Sequence, residues 1–314
     1  MVSFRLVCNV ALQQIRQFSC SRKLMDISTV AVIGSGIMGS GIAQVSATAG
    51  FHVLIVDQSD EILNKAKKNI EASLSRVAKK KFADDKSKAE SFITNIMKNI
   101  EVNTSVADAV KEADLCIEAI TENLDLKIKM FETMDKNARK SAILASNTSS
   151  LPLAKISQIL KQPENFGGLH FFNPVPVMKL VEVIHTKNTS KETIDSMVRF
   201  CEKLGKNPVH SKDTPGFIVN RLLVPYCMEA IRLAERGDAS MKDIDVAMKL
   251  GAGYPMGPFE LFDFIGLDTC KFIIDGWHAD EPNQPLFNPS PLLDKMVKEG
   301  KLGRKSGEGF YKYK

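Results

Sequence analysis

The sequence lacks the short motifs of a metal centre or a disulfide framework. Its six cysteines are scattered at positions 8, 20, 116, 201, 227 and 270 without a CxxC pair, and its five histidines show neither HxxxH nor HExxH spacing. Cys116 stands within the apolar run 115–117, a setting typical of a reduced, buried thiol. We therefore expect an intracellular protein with free thiols and no metal site.

Long apolar runs are also absent. Hydrophobic residues make up 44% of the 314-residue chain and charged residues 25%, which are ordinary values for a globular protein. They argue against a membrane span and against disorder. The length leaves room for two domains, each with its own core.

Acidic residues are missing from the first 25 positions. That stretch contains serines and the basic residues Arg5, Arg16, Arg22 and Lys23, which account for four of the five net positive charges of the chain. Apolar residues recur there at helical spacing, so the composition predicts a mitochondrial transit peptide over residues 1–24 and a location in the mitochondrial matrix. A frayed terminus is the alternative. The remaining chain has too little net charge to indicate nucleic-acid binding.

Short apolar runs alternate with helical segments as far as residue 212. The runs predict strands at Thr29–Ile33, His52–Val56, Ile100–Asn103, Leu115–Ala119, Ala142–Ser146, Gly168–Phe172 and Leu180–Ile184. A long charged segment, 60–98, is predicted to form two helices that break near residues 83–85. This order is typical of a Rossmann-type, mostly parallel sheet with flanking helices. From residue 213 helical periodicity takes over, which predicts domains at 25–212 and 213–314, the second all-helical.

A glycine-rich loop directly follows the first predicted strand and opens a helix. The loop reads Gly34-Ser35-Gly36-Ile37-Met38-Gly39. Glycines in this context allow a tight turn, a close approach to a pyrophosphate and close helix packing. Asp57 ends the next strand, where its carboxylate would bind an adenosine ribose and repel a 2′-phosphate. We expect domain 25–212 to bind NAD rather than NADP, and a ligand-free glycine turn is the alternative.

A histidine and a glutamate lie in the last two predicted strands. If strand 180–184 is buried on both faces, as parallel strands usually are, Glu182 is buried too and needs a donor or a cation. His170 is the economical partner, because a carboxylate that holds its imidazole in one tautomer prepares a general base. This pair could take a proton from an alcohol while hydride leaves its carbon.

Ser149 follows another predicted strand, at the end of the sheet that faces the ligand crevice. Its hydroxyl could bond to a substrate oxygen. The alternative is that Ser149 or Ser150 caps the helix that begins near Pro152. The sequence does not decide between these two roles.

Four segments together make the chain resemble a known family. They are 168–182 around the histidine and glutamate, 213–221, 256–261 and 307–311. With them, the chain from about Thr29 to Lys314 resembles the L-3-hydroxyacyl-CoA dehydrogenases of fatty-acid β-oxidation, in particular the stand-alone mitochondrial type.

The resemblance implies specific roles. It makes His170 the general base, Glu182 its orienting partner, and Ser149 and Asn220 the residues that hold the substrate oxygen. It implies NAD contacts at the glycine loop, Asp57, Glu122, Lys127, Ser149, Asn173 and Lys305. The implied reaction is the reversible oxidation of an L-3-hydroxyacyl-CoA to a 3-oxoacyl-CoA, by a homodimer that associates through its second domain.

The prediction of CoA binding depends on a lysine-rich helix. Ser73, Arg76 and Lys80 share one face of it, and the resemblance implies that Ser73 and Lys80, together with Ser149, contact the CoA substrate. By itself such a face is more often merely solvated. Two other functions also stay open: a related dehydrogenase of free hydroxy acids such as L-gulonate, and a non-enzymatic, crystallin-like NAD-binding protein.

Overall fold

The computed structural model describes residues 27–313, so the predicted transit peptide lies outside the described residues. The chain forms two compact units. The first runs to Thr148 and continues from Leu153 to His210, and the second comprises Ser149–Pro152 and the chain from Ser211 onward.

The first unit is built on one eight-stranded sheet in the order β3-β2-β1-β4-β5-β6-β7-β8. Its strands are β1 Thr29–Ile33, β2 His52–Val56, β3 Ile100–Asn103, β4 Leu115–Glu118, β5 Ile143–Ser146, β6 Phe166–Phe171, β7 Leu180–His185 and β8 Asn207–Lys212. The strands from β3 to β6 run parallel in this order. The predicted fold class, a Rossmann-type and mostly parallel sheet, is confirmed.

Two features of the sheet differ from the sequence-based expectation. Strand β7 pairs antiparallel with β6, whereas the burial argument for Glu182 treated this strand as parallel. The premise was wrong, but its consequence holds because residues 181–184 are buried regardless of direction. Strand β8 was not predicted, since Asn207–Lys212 has a mixed, largely solvent-facing pattern that an edge strand tolerates.

Helices flank the sheet, and most of them begin directly after a serine, aspartate or asparagine whose side chain caps the first turn. They are Ile37–Thr48, Asp60–Lys81, Lys86–Met97, Val106–Glu112, Leu124–Asn137, Leu153–Ser157 and Lys191–Lys203. The predicted break in the charged segment has a clear cause: Asp85 accepts a hydrogen bond from the Lys88 amide and so starts a new helix. In the preceding helix, acidic residues in the first turn and lysines in the last turn complement the helix dipole.

The second unit is helical, as predicted. Its helices are Val219–Glu235, Met241–Gly251, Pro258–Ile265, Leu267–Asp280 and Pro291–Lys298. Met228, Phe259, Phe262 and Trp277 lie in its core. Within residues 27–313, every helix is too short or too polar to cross a membrane, and that stretch contains no group of three or more side chains suited to hold a metal ion.

Candidate active site

The glycine loop connects β1 to the helix Ile37–Thr48, and two of its glycines are required by close contacts. Gly34 has a φ of +101°, and a Cβ there would lie 2.6 Å from the Ala119 carbonyl oxygen. A Cβ on Gly39 would lie 1.8 Å from the Gly34 carbonyl oxygen. Any side chain at these positions would open the turn or push the helix away from the strand.

Gly36 is different, because it faces open space. A Cβ on Gly36 would meet no atom of the described chain within 4 Å, and this residue lines a pocket of the first unit. It also precedes the first turn of the helix, which no side chain of the described residues caps. The first amide groups of the helix are therefore available to an anion such as a pyrophosphate.

Asp57 stands at the end of β2 and is tied to the glycine loop. Its Oδ2 accepts hydrogen bonds from the Ser35 amide at 2.8 Å and the Ser35 hydroxyl at 2.6 Å, and its Oδ1 accepts one from the Gln58 amide at 2.8 Å. Burial alone would raise the pKa of this carboxyl, but the hydrogen bonds from Ser35 and Gln58 outweigh it and hold the pKa below its ordinary value. Asp57 therefore stays ionised at neutral pH.

The pocket beside this loop has a volume of about 690 Å³. It is lined by Gly34–Ile37, Asp57, Ser73, Arg76 and Asn173, together with neighbouring residues of the same unit. This size lies in the range of cofactor sites. Of the two predicted CoA contacts on the charged helix, Ser73 lines the pocket, whereas Lys80 is an exposed residue further along the helix.

A buried network of charges lies at the carboxyl ends of β4 and β5. The ammonium of Lys127, a residue only 1% exposed, lies 2.6 Å from Glu118 Oε1 and 3.2 Å from Glu122 Oε2. Thr148 donates its hydroxyl to Glu122 Oε1 at 2.5 Å, and Ser146 donates to Glu118 Oε2 at 2.7 Å. Two carboxylates thus share one ammonium, and each is held by a hydroxyl as well.

Sequence reasoning missed three members of this network. Glu122 and Lys127 were predicted as NAD contacts through the resemblance alone, and Glu118, Ser146 and Thr148 were given no role in the site. The available signal was their position, since polar residues that end adjacent parallel strands face the ligand crevice.

His170 and Glu182 form the pair that the sequence predicts. They lie directly opposite each other in the register of β6 and β7, and His170 Nδ1 is 2.6 Å from Glu182 Oε2. Both side chains are buried, and the ring of Phe172 packs against the imidazole with centroids 4.4 Å apart. If Nδ1 carries its hydrogen toward Glu182, the lone pair is on Nε2, as a general base requires.

The second unit contains the remaining predicted residues. The Asn220 side-chain amide donates to the Ser149 carbonyl at 3.3 Å, so the structure brings these two residues together. Lys305, predicted to contact NAD, lies 2.6 Å from an Asp268 carboxylate oxygen.

Family models match almost the whole described chain. The 3-hydroxyacyl-CoA dehydrogenase NAD binding domain matches residues 29–214, and the C-terminal domain of the same family matches residues 216–313. The chain belongs to the 3-hydroxyacyl-CoA dehydrogenase family. The predictions of family, NAD cofactor and oxidoreductase class are thereby confirmed.

Individual members of the family are similar over more than nine-tenths of this chain. Mitochondrial hydroxyacyl-coenzyme A dehydrogenase of Rattus norvegicus is 58% identical over 292 residues, or 93% of each chain, and that of Homo sapiens is 58% identical over 94% of each chain. Among solved structures, (S)-3-hydroxybutyryl-CoA dehydrogenase from Ralstonia eutropha matches with a TM-score of 0.87 at 40% identity, covering 92% of this chain and 100% of that one. FadB2 of M. tuberculosis matches with a TM-score of 0.84 at 39% identity, covering 92% and 99%.

Proposed function

We propose that this member of the 3-hydroxyacyl-CoA dehydrogenase family oxidises L-3-hydroxyacyl-CoA to 3-oxoacyl-CoA in mitochondrial fatty-acid β-oxidation, reversibly and with NAD⁺ as the oxidant. The observation that carries the proposal is the buried His170–Glu182 pair, 2.6 Å apart, in the same unit as a pocket suited to NAD. An NAD-binding protein without turnover has no need of a buried imidazole held by a carboxylate.

In the proposed mechanism His170 is the base. Glu182 holds the Nδ1 side of the imidazole, and Nε2 takes the proton of the C3 hydroxyl group. Ser149 and Asn220 hold the oxygen as it becomes a carbonyl. NAD, when bound, supplies the acceptor for the hydride that leaves C3. The products are the 3-oxoacyl thioester, NADH and the proton on His170, so charge and electrons balance.

The pocket residues fit the cofactor. We assign the loop Gly34–Gly39 to the pyrophosphate and Asp57 to the adenosine ribose, because Gly36 is open and Asp57 is ionised. Glu122 is the accessible member of the charge network, and we infer that it contacts NAD while Lys127 holds it. Asn173 lines the pocket and is a further contact. Ser149 and Lys305, in the second unit, complete the proposed set.

The remaining assignments concern the substrate and the setting of the enzyme. Ser73, Lys80 and Ser149 are proposed to bind the CoA thioester. Residues 1–24 are proposed as the transit peptide, 25–212 as the NAD-binding domain and 213–314 as the domain that completes the substrate cleft and forms a homodimer. The similar rat and human enzymes are named mitochondrial, which supports the mitochondrion as the compartment. Within it we propose the matrix, on the ground of the predicted transit peptide.

One assay tests the function. With acetoacetyl-CoA as substrate the enzyme should consume NADH, which is measured as a loss of NADH absorbance. It should be far less active with free acetoacetate. In the other direction it should reduce NAD⁺ with L-3-hydroxybutyryl-CoA in preference to L-gulonate. Preference for L-gulonate would instead favour a dehydrogenase of free hydroxy acids. Tight NADH binding without turnover on any of these substrates would favour a non-enzymatic role.

A further inference from the structure

Lys206 is a buried lysine that neither the motifs nor the proposed mechanism explains. It is 6% exposed, and its ammonium donates to two backbone carbonyl oxygens, those of Val175 at 2.5 Å and Met178 at 2.7 Å. Burial lowers the pKa of this ammonium, and the nearby positive charge of Lys179 adds to the effect. Placing a charge there is costly, so the bonds that it makes must matter to the structure around it.

Both acceptors belong to the loop that leaves β6. This loop, residues 173–178, begins with a cis peptide bond between Asn173 and Pro174, and its residues 173–176 line the 690 Å³ pocket. The amides of residues 177 and 178 both donate to the Pro174 carbonyl, which makes the loop a compact turn. The loop therefore forms one wall of the proposed NAD site.

The same loop packs on the helix that follows the glycine loop. Val175 is buried in the main core, and a Cβ added to Gly41 of that helix would lie 2.8 Å from Val175 Cβ. A glycine at position 41 thus lets the loop approach the helix backbone closely. Lys206 bonds to the carbonyl of Val175, so it acts on the residue that makes this contact.

The backbone around Lys206 is itself well held. Its amide donates to the Cys201 carbonyl at the end of the helix Lys191–Lys203, after Gly205 turns the chain with a φ of +70°. The next amide, of Asn207, donates to the Lys179 carbonyl at 2.7 Å. The ammonium is therefore presented to the loop from a rigid base.

We propose that Lys206 is a positioning residue that fixes the pocket-lining loop 173–178 against the helix Ile37–Thr48 and thereby strengthens NAD binding. The proposal rests on the assignment of this pocket to NAD. Without the ammonium, two loop carbonyls lose a charged donor, and the wall of the pocket is free to shift.

The test compares Lys206→Met with Lys179→Met. Methionine keeps the length of the side chain without its donors. Lys179 is the matched control, because it is a neighbouring but exposed lysine whose ammonium donates only at 3.3 Å, to the Gly205 carbonyl. NADH titration should show a dissociation constant raised roughly tenfold in Lys206→Met, the lower end of the effect of a charged hydrogen bond, and unchanged in Lys179→Met. In steady state the KM for NAD⁺ should rise more than kcat falls.

Hydrogen exchange separates positioning from general destabilisation. In Lys206→Met the amides of residues 177 and 178 should exchange faster while those of β1 keep their protection. An unchanged NADH dissociation constant, or faster exchange throughout the sheet, would overturn the proposal. If Lys206→Met does not fold, hydrogen exchange is measured on the wild type with and without NADH. Bound NADH should slow amide exchange in residues 173–178, and an unchanged exchange rate there would overturn the proposal. A wild-type protein that binds no NADH would instead contradict the assignment of the pocket to NAD, and this result is distinct from a failure of the Lys206 proposal.

Discussion

At the scale of single residues, the pairing of His170 with Glu182 is fixed by the register of the sheet. The two residues are directly opposed in the register of β6 and β7, so a slip of one residue would turn one side chain to the other face. Burial excludes water as a competing partner for the carboxylate. The imidazole is therefore held in one orientation before any substrate arrives, which is the preorganisation that a general base needs.

Replacing the base should remove turnover but not cofactor binding. In His170→Ala, kcat for acetoacetyl-CoA reduction should fall by roughly 10² to 10⁴, the usual contribution of general acid–base catalysis, while the NADH dissociation constant stays nearly unchanged. Steady-state kinetics and NADH titration measure the two effects. His210→Ala, at an exposed histidine of β8, is the control and should behave as wild type. A His170→Ala enzyme with most of its turnover would remove this residue from the role of base.

Asp57 should determine the preference for NAD over NADP. Asp57→Asn removes the charged acceptor proposed for the ribose hydroxyls, so NADH should bind about tenfold more weakly. It also removes the charge that would repel a 2′-phosphate, so the preference for NADH over NADPH should narrow. Titration with both nucleotides measures this. Asp60→Asn, at an exposed carboxylate three residues further on, serves as control. If the dissociation constants of NADH and of NADPH are the same in Asp57→Asn as in the wild type, the assignment of Asp57 to the ribose is contradicted.

The pKa of Asp57 adds a pH dependence with a definite sign. Because hydrogen bonds hold the folded-state pKa below the ordinary value, the ionised form stabilises the fold above the unfolded-state pKa. That contribution is lost only as the pH falls through the lowered pKa. Titration of Asp57 should therefore cause no change in NADH affinity across neutral pH.

At the scale of elements, the segments that follow β4 and β5 are joined by one network of hydrogen bonds and ion pairs. The carboxyl groups of Glu118 and Glu122 share the ammonium of Lys127, and they also accept hydrogen bonds from the hydroxyls of Ser146 and Thr148 and, for Glu118, from the Ile120 amide. A buried carboxylate that loses a donor is destabilised or moves. The position of Glu122 thus depends on the segment that follows β5.

Thr148→Val tests this dependence, because valine keeps the shape and removes the hydroxyl donor to Glu122. NADH binding should weaken roughly three- to tenfold, less than the full value of a hydrogen bond to a charged group, because the lost bond acts on NADH only through the position of Glu122. Thr148→Ser retains the hydroxyl and should recover most of the affinity. If valine and serine bind NADH equally well, the hydroxyl does not position Glu122, whatever either variant does to thermal stability.

The charged helix Asp60–Lys81 provides a test of the CoA assignment. Lys80→Ala should raise the KM for acetoacetyl-CoA up to about fivefold at low salt, since an exposed ion pair contributes at most about 1 kcal/mol. The KM for acetoacetyl-pantetheine, which lacks the nucleotide, should not change. Lys79→Ala removes the neighbouring exposed lysine and is the control. Equal effects on both thioesters would indicate a structural role for Lys80.

Much of the first unit could be predicted because buried strands read as short apolar runs. Strands β1 to β7 were found in this way, and β8 was not, since an edge strand needs no apolar run. The antiparallel direction of β7 was also predictable: only residues 172–179 join it to β6, too few for a parallel crossover. The Glu118–Lys127 contact could not be found, because it depends on how a helix packs on the sheet.

The site divides in a similar way. Burial arguments paired His170 with Glu182, and strand context identified the glycine loop and Asp57. Asn220 and Lys305 came only from the resemblance, since no local pattern marks an amide or a lysine for a ligand. Lys206 could not be identified from the sequence, because a lysine between Gly205 and Asn207 indicates an exposed position until its contact with the loop 173–178 is known.

At the scale of the whole molecule, exposed apolar side chains show where partners are expected. In the first unit the largest such exposures are at Ile37, in the glycine loop, and at Val177, in the loop 173–178 held by Lys206, which suits a ligand-binding surface. In the second unit Leu222, Leu250 and Phe272 are each at least 67% exposed, and these residues lie on three different helices. Large apolar side chains that no ligand assignment explains are typical of a protein interface.

The predicted homodimer should therefore depend on the second unit. Sedimentation of the wild type should give twice the mass of one chain, and at least one of Leu222→Glu, Leu250→Glu and Phe272→Glu should shift the protein toward monomer, because a buried unpaired carboxylate is costly in an interface. Leu126→Glu, at a half-exposed leucine of the first unit, is the control and should remain dimeric. A monomeric wild type would contradict the dimer. Three variants that all stay dimeric would move the interface away from these helices.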